Sequence, residues 1–151
     1  MVSDREAEAG SQDGRLGHLL RHAQARLARK SAEALVPYGV DGRELAVLVV
    51  VAGEERLSQA EVAGRLGVDR TTMVALVDGL EDHGLVQRRR SPRDRRRNIV
   101  RLTDAGLACL ERAEAARRAA ERRFLAPLDE QAATALLRAL RMLVDEQPTG
   151  K

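Results

Sequence analysis

The feature that most constrains this chain is residues 58–106, where two short helical patterns separated by a glycine precede a pair of short strands. Ser58 and Glu61, three residues apart, have the pattern of a capping box and predict a helix start. Gly67 predicts the left-handed turn that ends this helix, because glycine adopts positive φ without a Cβ penalty. Asp69 then predicts the cap of the next helix. The two helices are therefore expected to be short and joined by a tight turn.

A strand pair with a highly basic loop follows these helices. Residues 85–90 and 98–102 have the length and composition of short strands, and Ser91 and Pro92 open the loop between them. The segment 88–101 holds eight arginines against Asp94 alone, a net charge of +7. Since the whole chain carries only +3, the remainder is at −4. A mildly acidic body with one basic projection predicts a protein that binds a polyanion.

This order of elements is that of a winged helix-turn-helix, in which the second helix enters the major groove of duplex DNA and the hairpin, or wing, lies beside it. An ordinary helical hairpin is the alternative for the helices, and a solvated loop or basic tail is the alternative for the arginines. Strands on both sides of the arginines argue against a tail. The recognition-helix candidates are Asp69, Arg70, Thr71, Thr72 and Ala75. The wing candidates are Arg88, Arg90, Arg93, Asp94, Arg95, Arg96 and Arg97. Asp94 can hold one of these arginines in a fixed pose by a bidentate pair.

Helical patterns rich in leucine and alanine flank this module, so the predicted fold class is mainly α with a small β-wing. The aromatic residues are Tyr38 and Phe124 alone, which leaves a core of aliphatic side chains suited to packed helices. The predicted organisation is a disordered lead at 1–12, dimerisation helices at 13–36 and 107–146, a winged helix-turn-helix at 37–106, called here the reading head, and a tail at 147–151. Apolar helix faces beyond the head can be buried against a second copy. The candidates for that interface are Leu16, Leu19, Leu20, Leu136, Leu140 and Leu143.

The wing resembles that of the MarR (multiple antibiotic resistance regulator) family of bacterial transcription factors. The family's wing signature is D-x-R, five residues, then L-T-x-x-G, and this chain has Asp94, Arg96, Leu102, Thr103 and Gly106 at that spacing. The preceding VDRTTMVALVDGLEDHGLV is similar to the family's recognition helix and its exit into the first wing strand. The resemblance covers roughly residues 13–146, because the order of the flanking helices also agrees.

The resemblance implies a function and a role for two residues. It makes Arg96 the minor-groove arginine and Asp94 its orienting partner. It implies an obligate homodimer, joined through its terminal helices, that binds a pseudo-palindromic operator and represses transcription until a small ligand releases it. Ala75 departs from the family, which often has a polar or basic residue there, so base reading is expected to depend more on Arg70, Thr71 and the wing.

A ligand pocket is expected, by the same resemblance, between the dimerisation helices and the reading head. His22, Arg26, Tyr38 and Arg43 are the candidates to border it, and either Arg26 or Arg43 can pair with an anionic ligand. Solvated surface positions are the equal alternative for these four residues. Because aromatic side chains are so few, the chain offers little to stack on a phenolic effector, and the absence of any effector stays open.

Other chemistry finds little support in the sequence. His18 and His22 share a helix face and form half of a metal site, but no third ligand is evident, and exposed histidines beside a dimer seam are the favoured interpretation. Cys109 lies on an apolar helix face, which favours packing over a redox role. No nucleophile–base pair, phosphate loop or metal triad is present, so we expect no enzyme activity, cofactor or metal.

No apolar run approaches the roughly 20 residues that span a bilayer, and the polar N-terminus lacks a signal-peptide core, so a cytoplasmic protein without membrane contact is expected.

The favoured function is a dimeric, sequence-specific regulator of transcription, most simply a repressor. The alternative is a non-specific nucleoid-type or RNA-binding protein, against which the ordered motif and the acidic remainder both argue.

Overall fold

The computed structural model describes residues 14–145, so the predicted disordered lead and tail, together with residues 13 and 146 at the ends of the predicted dimerisation helices, lie outside the described residues. The fold is mainly helical with one antiparallel hairpin, as expected. Its elements in chain order are α1 (Leu16–Leu35), a 3-10 helix (Val36–Tyr38), α2 (Gly42–Gly53), α3 (Gln59–Leu66), α4 (Arg70–Asp82), β1 (Val86–Arg90), β2 (Asn98–Leu102), α5 (Asp104–Leu125) and α6 (Glu130–Val144).

Side-chain caps fix where the inner helices begin. Ser58 and Glu61 form the predicted capping box, in which each side chain accepts from the other residue's backbone amide. Asp41 and Glu44 form a second one at the start of α2, and Thr103 caps α5. The first helix differs from its predicted span of residues 13–36: it begins at residue 16, and the chain tightens into a 3-10 turn after residue 35, since proline follows at position 37.

The core lies where α2, α3, α4, the hairpin and α5 meet. Aliphatic residues dominate it, in agreement with the near-absence of aromatics. The largest fully buried side chains are Leu35, Leu48, Met73, Leu80, Val47, Val62, Val77, Val86 and Val100. Ser58 forms an isolated antiparallel β-bridge with Ile99 of β2, and the Val100 amide donates to the Leu57 carbonyl at 3.1 Å. The hairpin is thereby fastened to the start of α3.

The start of α5 is joined tightly to the turn before β1. The Thr103 hydroxyl donates to the Gly84 carbonyl at 2.6 Å and accepts from the Gly106 amide at 2.9 Å. Gly106 is buried, and a Cβ at this position would lie 1.9 Å from the Leu85 carbonyl oxygen. The glycine of the L-T-x-x-G signature is therefore required by close backbone contact, and the threonine supplies the two hydrogen bonds that hold the joint.

The terminal helices extend beyond this core. α1 packs along α5, whereas α6 is the one α-helix between residues 14 and 145 that has no buried residue. Its apolar side chains include Leu143 and Met142, which are 62% and 66% exposed. Within residues 14–145, no helix combines the length and apolar character needed to cross a membrane.

Candidate nucleic-acid interface

The N-terminal cap of the recognition helix α4 is formed by Asp69 and Thr72, two of the residues predicted to contact DNA. Asp69 accepts from the Thr72 amide at 2.7 Å and from the Thr72 hydroxyl at 2.8 Å. The first of these bonds is the main cause that lowers the pKa of Asp69. Because the two side chains bind each other, the groups left free at this helix start are those of Arg70 and Thr71, both exposed.

One face of α4 is buried and the other is open. Met73, Val77 and Leu80 are fully buried. Val74 and Ala75 are exposed on the opposite side, in the same stretch as the free N-terminal residues. The helix therefore presents its N-terminal half outward while its apolar stripe holds it to the core.

The wing is an antiparallel ladder that ends in a hydrogen-bonded loop. Val86 pairs with Leu102 and Arg90 with Asn98, which fixes the register. In the loop, the Ser91 amide donates to the Arg97 carbonyl at 2.9 Å. The Ser91 hydroxyl in turn accepts from the amides of Arg93 and Asp94, at 3.2 and 3.4 Å. The exposed arginines of the tip are thus carried by a defined loop. They are Arg90, Arg93, Arg95, Arg96 and Arg97.

Asp94 orients the wing tip through the backbone. The residue types predicted that its carboxylate holds one of the wing arginines in a bidentate pair, and the resemblance makes Arg96 the residue that it orients. In the structure its Oδ1 accepts from the backbone amide of Arg96 at 3.0 Å, and the amide of Arg97 donates to its carbonyl, also at 3.0 Å. The expectation of a bidentate carboxylate–guanidinium pair is therefore corrected: Asp94 shapes the turn that carries Arg96 and leaves the guanidinium available.

The helix-turn-helix and the wing share one open cleft. Its volume is about 450 Å³, and Arg70 from α4 lies on its wall together with Arg96 and Arg97 from the wing tip. Small residues of α3, among them Ala60 and Gly64, line the same cleft. The arginine of the recognition helix and those of the wing tip were predicted from separate sequence features. They lie on one surface, where they can contact a continuous polyanion such as a DNA backbone.

Arg88 stands apart from the other wing arginines. Its guanidinium bonds Asp78 at 2.6 Å and Glu81 at 2.7 Å, and its Nε donates to Gln59 at 3.0 Å. Burial by itself would lower the pKa of Arg88, but the two carboxylates together outweigh burial and raise it. The amide and guanidinium of Arg88 in turn lower the pKa of Glu81. Arg88 was predicted to contact DNA, but its charge is used inside the reading head, by partners that sequence spacing gave no means to identify.

The predicted ligand-pocket residues lie at the surface. His22, Arg26 and Arg43 are exposed, while Tyr38 is half-buried, with its carbonyl 3.7 Å from the Cys109 sulfur. The sequence hypothesis of a pocket bordered by these four residues stays a prediction.

Cys109 and the two histidines have different settings. Cys109 is half-buried against the core, as predicted, and burial is the main cause that raises the pKa of its thiol. The rings of His18 and His22 lie 4.2 Å apart by their centroids. Within residues 14–145, no group of three or more His, Cys, Asp or Glu residues is arranged to hold a metal ion.

The predicted dimer residues are mostly exposed within the single chain. Leu16, Leu19 and Leu20 are exposed on α1, as are Leu136 and Leu143 on α6, whereas Leu140 is half-buried. Leu137, which the sequence prediction omitted from this set, is also exposed. Both terminal helices therefore carry apolar side chains that residues 14–145 leave uncovered.

A capped recognition helix, an arginine-tipped hairpin and a cleft between them define a winged-helix DNA-binding protein. Comparison with known proteins extends this assignment. A family model described as MarR family matches residues 38–97. A putative transcriptional regulatory protein for the hcr operon of Thauera aromatica is 35% identical over 135 residues, which are 89% of this chain and 81% of that protein. The chain belongs to the MarR family and is a DNA-binding regulator of transcription rather than an enzyme.

Solved structures agree with this assignment. The repressor CouR, bound to a 23-mer DNA duplex, is 34% identical with a TM-score of 0.82, covering 90% of this chain and 96% of that one. CouR from Rhodococcus jostii RHA1 bound to p-coumaroyl-CoA gives 28% identity and a TM-score of 0.76, covering 93% and 99%. The Mycobacterium tuberculosis MarR family protein Rv2887, in complex with DNA, is 34% identical with a TM-score of 0.75, covering 87% and 98%.

Proposed function

We propose that the protein is a homodimeric repressor that acts in the cytoplasm and binds a pseudo-palindromic operator through residues 37–106. The observation that carries the proposal is the shared cleft of Arg70 and Arg96, one from the recognition helix and one from the wing. A guanidinium on the helix can pair with guanine edges in the major groove, and one on the wing can enter the adjacent minor groove. Arg70 and Thr71 are the proposed base-reading residues, and the exposed wing-tip arginines are the proposed backbone and minor-groove contacts.

The proposed dimer is supported by the apolar side chains that the chain leaves uncovered on α1 and α6. Two copies related by a twofold axis would bury them and place two reading heads side by side. Successive major grooves on one face of B-DNA are about 34 Å apart, so a twofold dimer fits a pseudo-palindromic site. The predicted dimerisation segments, residues 13–36 and 107–146, are thus proposed to set the spacing of the heads.

Release by a small ligand is the finer part of the proposal. The complex of CouR with p-coumaroyl-CoA supports it by similarity, and His22, Arg26, Tyr38 and Arg43 are the proposed border of the site in this chain. A ligand can act only by binding the DNA-incompetent spacing of the heads more tightly than the competent one. Alanine at Arg26 and Arg43 is expected to weaken such release without weakening DNA binding itself.

A binding series tests the reading surface. The probe is a duplex enriched from a random library on the wild-type protein, and a scrambled duplex of equal length is the competitor. Arg96→Ala should weaken binding to the selected duplex by about 1–3 kcal/mol, and Arg70→Ala should in addition reduce the preference over the scrambled duplex. Equal affinity of the wild-type protein for both duplexes, at fixed salt, would instead favour a non-specific nucleoid-type protein.

A further inference from the structure

We infer that Arg88 is a positioning residue: it fixes the recognition helix relative to the wing and does not itself contact DNA. The inference rests on the proposed function, because α4 and the wing tip must be held in one arrangement if they are to read a single DNA site. It assigns a different task to one of the eight arginines of the basic segment. The other arginines of this segment are exposed, whereas the Arg88 side chain is half-buried and bonds residues of α3 and α4.

The guanidinium of Arg88 joins three elements through nearly all of its donors. From β1 it reaches α4, where Nη1 bonds Glu81, and Nη2 bonds Asp78 and, at 3.4 Å, the Val74 carbonyl. Its Nε donates to Gln59, the first residue of α3. The backbone amide of Arg88 also donates to Glu81, at 3.1 Å. A planar, forked donor can satisfy such divergent acceptors at once, and a lysine ammonium cannot reproduce that geometry.

Burial makes this junction more than a surface ion pair. The side chain of Arg88 is 19% exposed, while those of Asp78 and Glu81 are 56% and 40% exposed. An exposed pair contributes little, but a guanidinium largely removed from water is expensive to leave without its partners. Loss of Arg88 removes the side-chain bonds that join β1 to α4 and α3, which favours movement of β1 away from α4, and the wing tip moves with β1.

The charges of this junction also bear on DNA binding. Asp78 lies on the exposed side of α4, close to the surface proposed to face a polyanion. Removing a carboxylate from such a surface ordinarily strengthens binding to any duplex, because repulsion of phosphate is lost. If Asp78 holds Arg88 in place, its removal must instead weaken the preference for the selected duplex. Loss of simple charge repulsion thus leaves the preference for the selected duplex unchanged, whereas loss of the positioning role lowers it.

The first test needs no DNA. In the free protein, Arg88→Gln should speed amide hydrogen exchange in β1 and in the C-terminal half of α4, with α5 unchanged. Arg89→Gln is the matched control, since it removes the same charge from the neighbouring, exposed position on the same strand. Unchanged exchange in both elements of Arg88→Gln would overturn the inference, whether or not the protein prefers a particular DNA sequence.

The second test measures binding to the selected duplex over a range of salt concentrations. Arg88→Gln should weaken binding by about tenfold with the wild-type salt slope, because preorganisation is lost and no phosphate contact is removed. A slope smaller by about 1 would mark a direct phosphate contact and would overturn the inference. If the wild-type protein has no sequence preference, the proposed function fails, and the exchange result still decides the role of Arg88.

A milder variant keeps the test decisive if Arg88→Gln unfolds. Asp78→Ala, with Asp82→Ala as the charge-matched control at the exposed end of α4, is compared for binding to the selected and scrambled duplexes. Asp78→Ala should lower the preference for the selected duplex severalfold, while Asp82→Ala leaves it unchanged. Equal tightening on both duplexes by both variants would show charge repulsion alone and would overturn the inference.

Discussion

The reading head buries its apolar side chains within the chain, whereas the last helix leaves them at the surface. In the head, helices α2, α3 and α4 each contribute fully buried aliphatic residues to one core. α6 contributes none, although it carries a well-defined apolar stripe. Helix α4 of the head and helix α6 both have ordinary composition, and each has a side-chain cap at its N-terminus. Amphipathicity therefore does not show whether a helix is covered by its own chain; only the packing of the other elements does.

This difference separates two sources of stability. The head is held by contacts within the chain and by joints such as that between Thr103 and Gly84. The outer face of α6 exposes Leu143 and Met142 to water, an arrangement that favours association with another apolar surface. Substitutions in the head should therefore change unfolding, and substitutions on α6 should change assembly.

The largest expected effect is on assembly. Leu143→Glu should weaken the proposed dimer by about 100-fold or more, since each buried leucine contributes about 1.5–3 kcal/mol and a twofold interface loses it twice. Sedimentation equilibrium over a range of protein concentrations measures the dissociation constant. Leu143→Met, which conserves volume, is the control and should retain the dimer. A Leu143→Glu protein that remains dimeric at the wild-type dissociation constant would place the interface elsewhere.

The next effect is on the fold of the head itself. Gly106→Ala should destabilise the protein by about 3 kcal/mol, because the new Cβ would overlap the Leu85 carbonyl and force the α5 start away from the turn. Denaturant unfolding followed by far-UV circular dichroism measures the loss. Gly64→Ala is the control: its Cβ would meet nothing within 4 Å, and alanine in a helix interior favours stability. Equal stability of the two variants would mean that the joint relaxes at no cost.

Local sequence signals were sufficient for most of the fold. A helix start depends on hydrogen bonds within three residues, so Ser58, Asp69 and Thr103 could be read as caps directly. A left-handed helix end needs one glycine, and Gly67 has a φ of +63°. That Arg70 and Arg96 line one cleft also agrees with the sequence prediction, because a winged helix places its wing beside the recognition helix.

Contacts between distant residues were beyond the reach of the sequence. Gln59 and Arg88 are 29 positions apart, and nothing in either neighbourhood distinguishes Arg88 from the exposed arginines around it. Strand alternation alone suggests that Arg88 and Arg90 share a face, yet the first is half-buried and the second exposed. Asp94 was assigned a guanidinium partner because the residue types allow one, whereas the turn geometry delivers its carboxylate to a backbone amide.

A smaller effect compares the caps of the two regions. Ser58→Ala should cost about 1 kcal/mol of head stability, because the Glu61 amide loses its acceptor at a buried position. Asp129→Ala removes the equivalent bond to the Ala132 amide at the start of α6. Site-resolved hydrogen exchange should therefore show faster opening of α3 in the first variant and of α6 in the second. Faster exchange of the head amides in Asp129→Ala would contradict the separation of the two regions.

The smallest expected effect is on the acid stability of the head. The amide and guanidinium of Arg88 hold the pKa of Glu81 below its usual range. A carboxyl with a lowered folded-state pKa contributes stability that is present above its unfolded pKa, about 4.3, and is lost as the pH falls through the folded value. The difference in unfolding free energy between wild type and Glu81→Gln should thus be greatest near neutral pH and should shrink below about pH 4.

The side chain of Glu81 is 40% exposed, so solvent screening keeps this difference smaller than that of the Ser58 cap. Urea unfolding at pH 7 and pH 3 measures it. A difference that is unchanged by acid would show that the charge of Glu81 does not hold Arg88 and that the backbone bond from the Arg88 amide, which glutamine can also accept, is sufficient.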